Sequence, residues 1–242
     1  MIAQATNPII RWEWVVEEWD QIREAIVEHL TLTVLALAVG VVISAFLTAL
    51  VLRVRWMATP VTATTSLIYT LPSVALFALL APVFGNLSRW TAVLPLAGYT
   101  LLILVTNAVA GFQSVPAAVR DAADGMGMSP ARRVWSVELP LAIPFIMTGI
   151  RIASVSTVGL VTVAAIIGQG GLGGLIFSGL RRTFWTPMTV GASLSIILAL
   201  AIDALLVLAG TLLTPWQRRR RTPKQATSPA AATAGTTAVV AS

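Results

Sequence analysis

Polar positions are so sparse along this chain that they delimit its elements by interruption. Residues 30–52, 56–88, 90–119 and 152–180 contain no charged side chain, and each run exceeds the about 20 residues that cross a bilayer as a helix. The runs are continuously apolar, without the period-two alternation of a membrane β-barrel. The pattern predicts spanning helices over residues 29–52, 60–80, 91–112, 141–167 and 187–213. The first ends at Arg53 and Arg55, whose long side chains reach back to water. The second carries a kink at Pro72 and a turn at residues 81–86. A sixth span, or a short re-entrant piece near Pro82, is the alternative count.

Ahead of the first span, Trp12, Val15, Val16, Trp19, Ile22 and Ile26 recur at helical spacing. Glu13, Glu17, Glu18, Asp20, Glu24 and Glu28 occupy the opposite face. Residues 1–28 therefore read as an amphipathic helix anchored by tryptophan at a membrane interface. The sharper alternative makes the acidic face a docking surface for a partner outside the cell. Residues 1–10 have no basic patch and the first long apolar run starts near Leu30, so a cleaved leader is not expected. Residues 215–242, beginning with a run of arginines and continuing in Thr, Ala, Pro and Ser, read as a disordered basic tail.

Composition agrees with the pattern. Hydrophobic residues make up 57% of the 242 and charged residues 11%, at a mean hydropathy of +0.85. That leaves too little polar surface to cover a soluble globule. The expected class is an all-α, polytopic integral membrane protein of five to six spans. With no cysteine and one histidine, His29, thiolate sites, histidine-built metal sites and Ser/His/Asp triads are improbable.

Five spans place Arg53, Arg55, Arg120, Arg132, Arg133, Arg218, Arg219, Arg220, Arg221 and Lys224 on one side, and Arg11, Arg23, Arg89, Arg181 and Arg182 on the other. The excess of positive charge assigns the first set to the cytoplasm, with the N-terminus outside and the C-terminus inside.

That orientation puts residues 113–140, the longest polar interruption between spans, in the cytoplasm. They read as two short helices. Pro116 suits the first turn of one and Gly127 a left-handed residue at its end. Ser129 caps the second, Pro130 takes its first position, and Pro140 closes it and opens the fourth span. The product is a helix, a glycine corner and a helix: a rigid knob held between membrane spans. Ala122 and Ala123 give it a surface without bulk, and Asp121, Asp124, Arg132, Arg133 and Glu138 offer charges that fix register. A charged hairpin that only solvates the face is the plainer reading.

The spacing favours the sharper one. Asp121-Ala122-Ala123, then Gly127, then Val137-Glu138-Leu139-Pro140 resembles the "EAA" signature of ABC importer permeases. Asp stands where the signature usually has Glu. The resemblance implies the type I importer transmembrane fold and a loop received by a groove on a separate ATPase, which uses ATP and Mg. It also implies a second permease, identical or related, as dimer partner in the plasma membrane, and an extracytoplasmic solute-binding protein that delivers a small solute. No nucleic-acid partner is expected. No cofactor is expected in this chain, which has no P-loop and whose only lysine is Lys224. The segments 29–53 and 138–182 further resemble permeases of osmoprotectant importers, which handle glycine betaine, choline, carnitine or proline betaine. The function implied is that of a permease subunit without covalent chemistry of its own. An importer for another small solute such as methionine, or a secondary transporter driven by an ion gradient, is the alternative.

Gly168, Gly170, Gly171, Gly173 and Gly174 formally satisfy a dinucleotide fingerprint, but they follow a membrane helix and no acid lies about 20 residues on. Helix packing or a gate suits them better. Arg151 and Asp203 fall within predicted spans, where charge is costly. Mutual pairing, a place on the solute path, or, for Arg151, reaching to the interface are the readings.

Overall fold

The computed structural model describes residues 8–85 and 88–215. The arginine-rich tail and Asn86 lie outside the described residues. Among the described residues ten α-helices follow one another: α1 (Trp12–Glu17), α2 (Trp19–Arg53), α3 (Ala58–Thr70), α4 (Ser73–Phe84), α5 (Trp90–Gln113), α6 (Ala117–Gly125), α7 (Pro130–Arg133), α8 (Leu139–Ala164), α9 (Leu172–Arg182) and α10 (Trp185–Leu213). Among these residues, α2, α5, the continuous 130–167 segment and α10 are long and apolar enough to cross a bilayer. The pair α3–α4 makes a fifth span if it is counted as one.

Helix α2 begins ten residues before the expected start. No glycine or proline falls between Trp19 and Gly40, so nothing stops the helix from running through residue 28. At about 1.5 Å per residue its 35 residues exceed a hydrocarbon core of about 30 Å. Its first turns therefore stand outside the hydrocarbon. The anchored helix expected over residues 1–28 is in part packed on the protein: Ile22 and Ala25 are buried with Leu172 and Leu175 of α9. Trp12, Val16 and Trp19 remain exposed.

The expected kink at Pro72 is a full break. Leu71 and Pro72 are extended, with ψ of 140° and 128°, as the residue before a proline prefers, and the arms meet at 95°. The Tyr99 hydroxyl donates to the Leu71 carbonyl, satisfying one group that the break exposes. Helix α4 passes through Pro82 to Phe84, so the chain turns at Gly85, toward the end of the expected 81–86 stretch.

Helix α5 is the most buried of the spans, with more than half of its apolar stretch covered, whereas α10 has none of its stretch covered. Around α5 gather Leu32 and Ala36 of α2, Phe77 of α4, and Val161 and Ala164 of α8. Lipid is as apolar as these side chains, so close packing holds the helices together rather than escape from water. A Cβ on Gly149 would stand 2.7 Å from the Asn107 Cβ, which shows how closely α8 approaches α5.

Candidate functional site

The polar stretch after α5 folds as two helices about a corner, built by local chemistry. Pro116 stands one position outside α6, with Ala117 as the first helical residue. At the other end the Met128 N–H donates to Ala123 O (3.2 Å) and the Gly127 N–H to Asp124 O (2.9 Å). This is the paired pattern of a Schellman cap. Gly127 supplies the left-handed residue, at φ 73°. Ser129 Oγ accepts from Arg132 N at 3.4 Å and Pro130 takes the first helical position.

The second arm does not close before Pro140. A five-residue π turn, Val134–Glu138, carries α7 into α8, so one helical segment runs from Pro130 to Ile167. Pro140 lacks an N–H and its ring crowds the carbonyl four residues earlier. The wider π turn just before it accommodates both demands. The corner is thus fused to a membrane span on one side and joined to α5 by three residues on the other.

Charges lock the corner from within. Arg133 donates from an Nη to both oxygens of Asp124 (2.6 and 2.5 Å) and from Nε to Glu138 Oε1 (2.8 Å). The hydrogen bonds to Asp124 and then to Glu138 raise the Arg133 pKa above its ordinary value. Glu138 is buried, and Arg120 approaches it at 3.8 Å. Arg120 also donates from an Nη to Phe112 O (2.6 Å), a carbonyl of the last turn of α5. Asp124, Arg133 and Glu138, expected to face a partner, are therefore spent on each other. Asp121 and Arg132 remain exposed.

The alanines divide as well: Ala123 is buried and Ala122 exposed. Val137, Leu139 and Pro140 are half-buried where the arm enters α8. Met126 at the corner and Trp135 on the second arm are 69% and 71% exposed. The exposed residues of the two arms thus include Ala117, Ala118, Ala122, Met126 and Trp135, with Asp121 and Arg132 among the charges. Sequence reasoning passed over Met126 and Trp135, although a large apolar side chain within a polar stretch was the available signal.

The glycine run forms the turn between α8 and a helix that periodicity missed, α9. Gly168 (φ 79°) and Gly171 (φ 46°) are left-handed. A Cβ on Gly170, Gly171 or Gly173 would stand 2.3, 2.5 or 2.2 Å from Ala165 N, Ala25 O or Thr162 O. Gly168 and Gly174 face open space. Glu28 accepts from the Gly171 N–H (3.2 Å), and the buried His29 donates from Nε2 to Val158 O (3.1 Å). The turn is thereby bound to α2.

Arg151 of α8 and Asp203 of α10 are brought together in a two-bond fork. Among the described residues no group of three or more His, Cys, Asp or Glu side chains could hold a metal ion.

The family described as "Binding-protein-dependent transport system inner membrane component" matches residues 27–220. The osmoprotectant import permease protein OsmW of Salmonella typhimurium is 38% identical over 192 residues, 78% of this chain and 89% of that one. The choline transport system permease protein OpuBB of Bacillus subtilis is 35% identical over 78% of this chain and 86% of its own length. Among solved structures, an inward-facing MetNI methionine ABC transporter matches with a TM-score of 0.68 at 19% identity, covering 83% of this chain and 97% of that one. An amino acid ABC transporter matches with a TM-score of 0.70 at 20% identity, covering 87% and 99%. At that identity these two show the fold alone.

Proposed function

This chain belongs to the binding-protein-dependent transport system inner membrane component family, and we propose that it is the permease subunit of an ATP-driven importer for small methylated osmoprotectants such as glycine betaine or choline. It is a multi-pass inner membrane protein of the ABC permease fold. The observation that carries the reading is the exposed α6–α7 corner, with Asp121-Ala122-Ala123 and Gly127 at the spacing that couples a permease to an ATPase. It stands in a chain whose relatives are named for osmoprotectant and choline transport.

In this reading the corner enters a groove on a cytoplasmic ATPase. The Arg133 network makes the corner rigid, and fusion of its second arm to α8 passes any displacement into the span without slack. Two ATPase subunits close on ATP and Mg and move two such corners, one from this chain and one from a second permease. An exported binding protein delivers the solute from outside. The chain moves the solute without making or breaking covalent bonds. The excess of arginine on the corner side supports a cytoplasmic position for it and an external N-terminus.

The test is uptake of labelled glycine betaine, choline and methionine by the complete importer in proteoliposomes. ATP-dependent uptake of the first two is expected. Uptake that persists without ATP while an ion gradient is held would overturn the reading in favour of secondary transport.

A further inference from the structure

The chain has two tyrosines, and both line the same cavity. It measures about 410 Å³ and sits at the break between α3 and α4, walled by α5 and α8. That volume falls within the about 300–1,000 Å³ of small-molecule sites. The Tyr69 and Tyr99 rings lie 6.0 Å apart at 68°, forming an aromatic corner. The hydrogen bond from the Tyr99 hydroxyl to Leu71 O fixes one ring in place, while Tyr69 is 43% exposed.

The rest of the lining narrows the ligand. None of its residues is charged, so no side chain offers an ion pair to a compact ammonium group, and a carboxylate could be met only by hydroxyl donors. The Thr100 and Thr157 hydroxyls donate to Ala97 O and Ala153 O of their own helices, each at 2.7 Å, and keep only acceptor capacity. The Ser73 and Ser156 hydroxyls have no hydrogen-bond partner among the described residues. A primary ammonium is compact and strongly hydrated, and in a lining without a carboxylate the hydroxyl oxygens alone repay little of its desolvation. A quaternary ammonium has none to satisfy: its charge is spread over methyl groups, which aromatic rings attract through their quadrupoles.

From this lining we infer that the cavity is a low-affinity site for a quaternary ammonium solute within the permease itself. The methyl groups lie in the Tyr69–Tyr99 corner, and the polar end of the solute meets the hydroxyls of Ser73 and Ser156. This inference rests on the proposed function for the solute class, and adds that the permease, and not only the binding protein, discriminates for methylated nitrogen. A site beside the break between α3 and α4 changes shape when either arm moves, which suits a station that must release its occupant.

The test is equilibrium binding of labelled glycine betaine, choline and methionine to the permease–ATPase complex without binding protein. Nanodiscs of phosphatidylethanolamine and phosphatidylglycerol are used, so that free solute is the only source of quaternary ammonium. Saturable binding of glycine betaine and choline, and none of methionine, is expected. Tyr69→Leu should weaken it about tenfold, whereas Tyr69→Phe, which keeps the ring, should stay within about twofold of wild type. Ser156→Leu, which fills the cavity from α8, should abolish it and serves if Tyr69→Leu does not co-purify with the ATPase. Absence of saturable binding, or unchanged binding in both Tyr69→Leu and Ser156→Leu, overturns the site. A wild-type importer that takes up no methylated ammonium solute even with its binding protein overturns the proposed function instead.

Discussion

Arg151 Nε and an Arg151 Nη each donate to a different carboxylate oxygen of Asp203, both at 2.8 Å, joining α8 to α10 across 52 positions of sequence. The first half of α10 is seated on its neighbours, with Pro187, Gly191 and Ser195 buried, whereas none of its most apolar stretch is buried, so the pair ties down the half that packing leaves free. Two parallel charge-assisted bonds fix both distance and rotation between the helices.

Removing one partner leaves the other charge unpaired in a region poor in water. Asp203→Asn and Arg151→Met should each lower the thermal unfolding midpoint of the detergent-solubilised protein by several degrees. The neutral pair Arg151→Met with Asp203→Leu should recover most of that loss and retain ATP-driven uptake. Loss of uptake in a stable double variant would instead assign the pair to a charge relay.

At the corner, a side chain on Gly127 meets nothing within 4 Å in this chain, so a substitution there is not blocked by packing. The positive φ costs an L-residue roughly 1–2 kcal/mol. Gly127→Glu should therefore insert into the membrane and survive purification. It should fail to retain the ATPase on co-purification, because the added acid occupies the surface that the partner covers. Gly127→Asn, which tolerates the left-handed region, should retain more. Wild-type recovery of the ATPase with Gly127→Glu would refute the docking role.

Arg133 holds both arms of the corner at once, through Asp124 on α6 and Glu138 at the entrance to α8. Arg133→Ala should loosen the arms while leaving the exposed face chemically unaltered. Faster hydrogen exchange over residues 117–129, with ATPase still bound but its hydrolysis less dependent on loaded binding protein, is the expected result. Lysine carries one ammonium in place of a planar fork, so Arg133→Lys should restore little. Unchanged exchange in Arg133→Ala would show that backbone capping alone keeps the corner rigid.

What could be read in advance follows from how local each cause is. The Gly127 cap and the Ser129-Pro130 start depend on a few neighbouring residues, so turn chemistry announces both. The Arg151–Asp203 pair is legible because charges within apolar runs are rare enough to seek each other. The 95° break at Leu71–Pro72 lies inside an unbroken apolar run, where hydropathy carries no signal and a proline is equally compatible with a mild kink. Helix α9 is hidden because Gly173, Gly174 and Gly179 lower helix propensity, and its stability comes from packing on Ile22 and Ala25. The Arg133 network escaped because isolated polar residues in a loop look like solvated charges until the fold closes the distance.

The glycine turn offers the sharpest contrast between neighbours. A Cβ on Gly173 would stand 2.2 Å from Thr162 O, and one on Gly171 would stand 2.5 Å from Ala25 O in a left-handed residue. Both obstacles are backbone, so no side-chain rotation relieves them, and overpacking of this kind costs about 1–3 kcal/mol or more. Gly174, one residue beyond Gly173, faces open space within α9. There alanine should be neutral or slightly stabilising, since it removes about 1 kcal/mol of helix penalty. Gly171→Ala and Gly173→Ala should therefore reduce the yield of folded permease, the first by pressing the turn against α2 and the second by pressing α9 against α8, whereas Gly174→Ala should match or exceed wild type. Fluorescence-detected size exclusion of the three variants checks the order. If Gly174→Ala alone abolished uptake at full yield, the turn would act as a moving gate, because a methyl group that clashes with nothing at rest can interfere only in another conformation.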